Sequence, residues 1–428
     1  MKLLCMVDAD EVINIEDAKI ININSNYDFT YTFWNEIKNL RNFYSDEGLD
    51  LLYLSLFVFA ADRLFLRESA NDSWSRDIEL FIPVLSIDRW KEVRELTEKM
   101  ISFLSGDKWR LHFRKRVLTE NEKRYKEKYG KQTSEKQSFE TLCMLSGGLD
   151  SFIGAINLLE SSDKGKVLFV SLYGGGKGTK EYQDILKGEF IDKYGLSKYQ
   201  FYQNYAAVIN GVEDTTRTRS FMFFSHAIVY ATAMAENVTL IIPENGLISL
   251  NIPLAHTRLG TSSTRTTHPY YMKLLQMLID RLGIIVKLYN PFQFKTKGEM
   301  AAECKNTDLL QGNIIHTMSC SHPDVGRYKG MNKTLHCGYC LPCTIRKAAL
   351  LRGRLTDTSE YLISDYNSGD VARESMNAYK LALRTFESKN AFLKVQSSGP
   401  IEENIMEYAD LYNRGMLELK TYLEGFNV

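Results

Sequence analysis

Two groups of residues have the types and spacing to do chemistry. The first is Ser146-Gly147-Gly148-Leu149-Asp150-Ser151. It follows an apolar run (Leu142, Met144, Leu145) and opens a helical apolar pattern from Phe152 to Leu159. A strand that ends in Ser-Gly-Gly and turns into a helix is an anion site. Glycine lets backbone N–H groups approach phosphate oxygens, and the helix start adds its positive dipole end. Ser146 and Ser151 can donate hydroxyl hydrogen bonds, and Asp150 can hold a magnesium ion that offsets phosphate charge. The plain alternative is a tight turn between strand and helix. The Gly-x-x-x-x-Gly-Lys-Ser/Thr phosphate loop is absent.

The second group is Cys320, Cys337, Cys340 and Cys343, the last three in Cys-Gly-Tyr-Cys-Leu-Pro-Cys. Two-residue spacing lets neighbouring thiolates converge on one metal, and Cys320 can return as the fourth ligand. Four thiolates suit a closed, structural zinc site that contributes folding energy. An iron–sulfur cluster is the rival, because it uses similar spacing. His322 and His336 flank the cluster as bystanders or outer groups, since four thiols complete the shell. Cys5, Cys143 and Cys304 are isolated and read as small buried residues.

The elements that must position these groups alternate from Leu142 onward. Candidate strands are Thr141–Leu145, Val167–Tyr173, Tyr199–Tyr205, Val238–Pro243 and Ile284–Tyr289, several of them near-continuous apolar runs. Helices fit Ser151–Ser161, Lys180–Tyr194, Arg219–Glu236 and Tyr270–Leu282. The fold class is α/β with a parallel sheet, and ligands then sit at the carboxyl ends of strands. Residues 1–120 form an N-terminal α+β extension, with a strand over Ile78–Val84, an amphipathic helix over Ile87–Leu104 and a strand near Trp109–Phe113. Charged residues 121–139 read as a linker or a solvated helix. The core domain spans 140–353. The tail, 354–428, is helical, with Ile405, Tyr408, Tyr412, Leu419 and Leu423 on one stripe.

Composition bounds the classes. With 53 basic and 53 acidic residues, the formal net charge is zero, which argues against a general nucleic-acid or membrane-surface binder. The apolar stretch Leu51–Ala61 is too short to cross a bilayer and reads as core. The start meets acids too early for a signal peptide, and the cysteine pattern suits a reducing, cytoplasmic setting.

The hexapeptide resembles the PP-loop of ATP pyrophosphatases, which split ATP into AMP and pyrophosphate. A PP-loop followed downstream by Cys…Cys-x-x-Cys-x-x-Cys is similar to the 7-cyano-7-deazaguanine synthase family, over about residues 141–352. The resemblance implies an adenine-nucleotide α-hydrolase-like, Rossmann-type core, with ATP, magnesium and zinc as cofactors. It implies that Ser146, Asp150, Ser151 and Arg219 act on the phosphates. Arg219-Ser220-Phe221-Met222 resembles the family's Arg-Asn helix start, with serine replacing asparagine. Gly147, Gly148, Leu149, Tyr173 and Gly174 complete the nucleotide site. After Tyr173-Gly174 the sequence departs from the family, and Lys177 is either a further phosphate ligand or a solvated lysine. Lys295-Thr296-Lys297-Gly298-Glu299-Met300 resembles the family's Lys-x-Glu helix start.

A carboxylated purine-like base needs an acceptor for its guanine edge and a cation for its own carboxylate. The polar stretch holding Glu244, Asn245, Gly246, Arg258, Arg265, Thr266 and His268 offers both. Glu244 or Asn245 would read the base edge, and Arg265 would pair with the carboxylate. The alternative there is a solvent loop with Thr267 or His268 as helix N-cap ahead of Pro269.

The family resemblance implies adenylation of 7-carboxy-7-deazaguanine. The extra segments at both ends resemble larger synthase-like proteins of bacterial anti-phage defence, such as the Qat system. In that branch the activated acyl group would pass to an amine on a partner protein encoded nearby. Release of free 7-cyano-7-deazaguanine with ammonia, for queuosine or DNA modification, is the first alternative. A tRNA-thiolating PP-loop enzyme or a non-catalytic nucleotide-sensing scaffold is the second. No membrane and no direct nucleic-acid partner is expected, and a homodimer would fit the family.

Overall fold

Two sheets and the helices between them organise the chain. The computed structural model describes residues 1–8, 13–130, 139–161, 166–174, 177–214, 217–234, 237–254 and 265–426, with Lys177 and Gly178 as backbone only. The N-terminal part contains β1 (Lys2–Met6), β2 (Ala18–Asn22), β3 (Phe29–Tyr31), α1 (Asp46–Leu64), β4 (Asp77–Val84), α2 (Ile87–Glu92), α3 (Arg94–Ser105), β5 (Lys108–Lys115) and α4 (Glu120–Tyr129). Its sheet, β2-β1-β4-β5, is parallel throughout. The apolar run 51–61 lies in α1, an interior helix buried along nearly its whole length. The single helix expected over 87–104 is two, because Val93 leaves helical geometry at ψ 5°. Among the described residues, no helix is long and apolar enough to cross a membrane.

The charged segment expected as a linker is in part a packed helix, α4. Thr119 and Glu122 form a capping box at its start. Glu122 is buried, accepting from Tyr53 Oη at 2.9 Å and Arg116 Nη1 at 2.8 Å. Trp34 stacks on Tyr125 with centroids 5.1 Å apart. Residues 131–138 lie outside the described residues.

The second sheet follows as β6 (Thr141–Met144), α5 (Leu149–Leu159), β7 (Val167–Tyr173), α6 (Lys177–Tyr194), β8 (Tyr199–Val208), α7 (Arg219–Thr232), β9 (Val238–Ile241), α8 (Gly246–Leu250), α9 (Pro269–Arg281) and β10 (Val286–Tyr289). Its order is β10-β9-β6-β7-β8-β3, parallel except for β3, which runs antiparallel to β8. The chain moves from β6 towards β8, then crosses back to β9 and β10. Strand order therefore reverses between β6 and β9, which is where a doubly wound sheet opens a ligand crevice. Right-handed crossovers put α5 and α6 on one face and α7 and α9 on the other.

The N-terminal part is not a separate appendage. β3 extends the second sheet, α1 packs on α7, and α3 packs on α9. One apolar core joins Leu54, Phe57 and Val58 of α1 to Phe221, Ile228 and Val229 of α7. On the opposite face Phe152, Ile156, Phe169 and Phe190 build a second core with Met300 and Leu310. The remaining helices are α10 (Lys297–Ala302), α11 (Thr307–Asn313), α12 (Val325–Tyr328), α13 (Leu341–Arg352), α14 (Asp370–Arg384), α15 (Ala391–Ser397) and α16 (Ile405–Glu424). The expected stripe on α16 is buried at Tyr408, Tyr412, Leu419 and Leu423, against α8, α13 and α15 among others.

Candidate functional site

The turn after β6 gathers hydroxyls at the start of α5. Gly147 has φ +91°, a conformation that favours glycine, and its carbonyl accepts from Met318 N at 2.8 Å. Gln183 supports the turn from α6, donating Nε2 to Ser146 O at 3.1 Å. Ser146 Oγ lies 3.1 Å from Ser151 Oγ and accepts from Gly148 N at 3.3 Å. Leu149 N donates to Ser319 Oγ at 3.4 Å. Three hydroxyls and two helix-start amides thus surround one spot at the carboxyl end of β6. Ser151 Oγ donates to Gly148 O at 3.0 Å, so Ser146 is the donor in the serine pair, and an anion there would take these hydroxyls and amides from the partners they now have.

Asp150, the residue after Leu149, turns inward. It is 5% exposed and bridges three elements. Oδ2 accepts from Asn245 N at 3.2 Å and Asn245 Nδ2 at 2.7 Å, and Oδ1 lies 2.9 Å from Lys297 Nζ. Burial alone would raise its pKa, but the Lys297 ammonium and neighbouring hydrogen bonds hold it below the usual carboxylate range. Glu244 shows the opposite effect: burial first, then the Asp150 charge, pushes its carboxyl well above the usual range. Both Asp150 oxygens are thus engaged, one of them by a cation already, and a divalent ion would have to displace Lys297 to reach them.

Arg219 begins α7 at the same edge of the sheet. It keeps an exposed side, yet protein crowds it closely enough that desolvation lowers its pKa. Tyr173 packs on Tyr205, with ring centroids 5.2 Å apart. A Cβ on Gly174 would come within 2.7 Å of Ala206 O, so close approach to β8 demands glycine. The side chain of Lys177, and all of Arg258, lie outside the described residues.

The other residues expected to bind a substrate have been put to structural use. Asn245 caps α8, accepting from Ile248 N at 3.0 Å. A Cβ on Gly246 would meet Gln293 O at 2.1 Å. Arg265 lies over the Phe103 ring at 4.4 Å and donates to Phe103 O at 2.9 Å. His268 is fully buried as the N-cap of α9, with Nδ1 accepting from Tyr270 N at 3.2 Å. Thr266 lies in the turn before it and is half-buried.

The four cysteines come together as their spacing predicts, in a group able to hold a metal ion such as zinc. Zn–S bonds of about 2.3 Å in a tetrahedron put sulfurs about 3.8 Å apart. Cys320 and Cys340, and likewise Cys337 and Cys343, have Sγ–Sγ distances of 3.9 Å. Backbone amides of His322 and Cys337 point at Cys320 Sγ, both at 3.2 Å. Hydrogen bonds among the thiols, that of Cys320 first, pull the Cys337 and Cys340 values down, the latter to about 5. Gly338 has φ +91°, and a Cβ there would lie 1.9 Å from Ile363 O. Both histidines are within reach: His322 groups with Cys320, Cys337 and Cys340, and His336 with Cys320 and Cys343.

The metal cluster and the turn after β6 are contiguous. Met318 and Ser319, which bond that turn, lead directly into Cys320. Arg346 of α13 secures this segment from below, donating to Thr317 Oγ1 at 2.8 Å and Ile314 O at 2.6 Å. Sequence reasoning missed Lys297, Ser319 and Gln183 as site residues. Only Lys297 carried a signal, in its Lys-x-Glu helix start. No family model matches this chain, and no curated protein matches it either.

Proposed function

We propose that the protein activates 7-carboxy-7-deazaguanine by adenylation, forming AMP and pyrophosphate from ATP, and passes the acyl group to an amine. The observation that carries this reading is the convergence of Ser146, Ser151, Ser319 and the α5 amides at the reversal point of the sheet, beside buried Asp150. The turn is then a PP-loop, and the fold around it the Rossmann-type core of that superfamily. A carboxylate oxygen of the substrate attacks the α-phosphorus, and the bond to the bridging β-oxygen breaks. Pyrophosphate leaves into the serine hydroxyls and helix-start amides, with Arg219 offsetting its charge. Magnesium would be held by Asp150 in exchange for Lys297 Nζ, and would supply further charge neutralisation. The amine nitrogen then attacks the acyl carbon, AMP departs, and the nitrogen loses a proton. Positioning and charge stabilisation suffice, so no nucleophilic side chain is needed.

Zinc in the closed thiolate shell would be structural, fixing the segment that braces the PP-loop. The two terminal extensions favour a protein amine, in a defence setting, over release of the free nitrile. The test is product analysis with ATP and 7-carboxy-7-deazaguanine. AMP and pyrophosphate are expected, and Asp150→Ala should abolish both; ADP and phosphate would overturn the reading. A mass increase on a co-expressed neighbour would identify the acceptor.

A further inference from the structure

Asp62 stands in the last turn of α1 with no exposed surface. Its Oδ1 receives Arg67 Nη2 at 3.2 Å and Arg76 Nη2 at 2.5 Å. The same two arginines pair with Asp107 at 2.9 and 2.7 Å. Two buried carboxylates and two buried guanidiniums therefore balance. Oδ2 serves a different segment, 155 residues away: it accepts from Arg217 N at 2.7 Å, Thr218 N at 3.0 Å and Thr218 Oγ1 at 2.9 Å.

Those are the two residues ahead of α7. A threonine at the N-cap ordinarily turns its oxygen towards the first-turn amides. Thr218 instead donates its hydroxyl to Asp62 and makes no cap bond. The first turn of α7 is left without a side-chain cap: Phe221 N bonds back to Thr218 O at 3.0 Å, whereas the Arg219 and Ser220 amides have no acceptor among the described residues and, with the positive dipole end, stay open. Ser220 Oγ is buried there without a partner, and Arg219 has no ion pair among the described residues.

We infer that Asp62 is a positioning residue: from the N-terminal part it draws Thr218 off the cap and holds the start of α7 open, so that Arg219 and Ser220 face the nucleotide phosphates. This rests on the adenylating reading above. It also gives residues 1–120 a role in the site, although none of them need touch the nucleotide.

The test is a double-substitution cycle in the full chain, read as pyrophosphate release. Asp62→Asn and Arg219→Ala should each lower kcat/KM for ATP about tenfold or more. The pair should lose no more than the worse single variant, because both act through the same helix start. Losses that multiply would mean Asp62 is structural only, and would overturn the inference. If Asp62→Asn folds poorly, Thr218→Val removes one donor to Asp62 and spares the arginine network. It should lower the thermal midpoint, because a buried hydroxyl bond to a carboxylate is lost, and lower kcat/KM several-fold when assayed well below that midpoint; full activity there would count against the clamp. Amide exchange over 217–222 separates the two readings. Faster exchange in Asp62→Asn is expected whether or not ATP is turned over, and unchanged exchange overturns the clamp itself. No AMP from the unsubstituted protein overturns the reaction instead.

Discussion

Lys297 Nζ lies 2.9 Å from Asp150 Oδ1, across 147 positions of sequence, with both side chains almost wholly buried. Thr296 fixes the lysine's helix through a capping box with Glu299 and donates its hydroxyl to Glu418 of α16. Arg414 of the same helix pairs with Glu299 at 2.7 Å. The C-terminal helix thus holds the cation that holds Asp150. Removing one member of a buried pair leaves the other charge uncompensated and costs about 3–5 kcal/mol. Lys297→Met should therefore lower unfolding free energy by about that amount in urea titration and suppress pyrophosphate release. A variant as stable as the parent would mean that Asp150 is balanced by other groups.

Glu244 gives a pH dependence of definite sign. Its raised carboxyl value means the folded state binds a proton that the unfolded chain, near about 4.3, releases. The favourable contribution is complete below that unfolded value and is lost as pH climbs through the folded one. Glutamine cannot ionise. Glu244→Gln should gain thermal midpoint relative to the parent at pH 8 and lose that advantage by pH 4. Asp150 has the opposite sign, losing its contribution as pH falls. Parallel pH curves for Glu244→Gln and the parent would show that Glu244 is ionised in the fold.

Local signals carried the α/β order because buried parallel strands are apolar runs, as β6 and β7 are, while β8 and β10 alternate buried and more exposed positions. The Ser-Gly-Gly turn between β6 and α5 and the clustering of the four cysteines were legible for a like reason: both lie in short spacings. What escaped depended on contacts between distant segments. Nothing near Arg265 says that Phe103, 162 residues away, will take its guanidinium. β1, β2 and β3 were missed because strands of five, five and three residues carry little periodicity. Asp62 carries no local signal of its role, since its partners lie beyond residue 66.

Metal removal should be felt at the turn after β6. Ser319 bonds Leu149 N, Met318 bonds Gly147 O, and Cys320 follows directly. A structural metal contributes folding free energy to the segment that carries its ligands. The purified protein should contain stoichiometric zinc and be colourless. Chelation, or Cys340→Ser, should lower the thermal midpoint and speed amide exchange at 147–149 as well as at 317–345. Exchange changes confined to the cysteine segment would show that the two sites are mechanically independent. Iron and a brown colour would replace zinc with a cluster.

His268 separates a structural role from a substrate contact. Ser398 Oγ donates to Val395 O at 2.7 Å, so it must accept from His268 Nε2 at 3.1 Å. Nε2 then carries the hydrogen, and Nδ1 is free to accept from Tyr270 N. Burial first, and the Arg265 charge second, push the histidine down to about 3. The unfolded chain binds a proton below about 6.5 that the folded state refuses. Its contribution is therefore present above that value and lost as pH falls towards 3. Asparagine is a good N-cap but does not titrate. His268→Asn should flatten the acid side of the stability profile and leave KM for the carboxylated base unchanged. A raised KM at unaltered stability would return His268 to the substrate site.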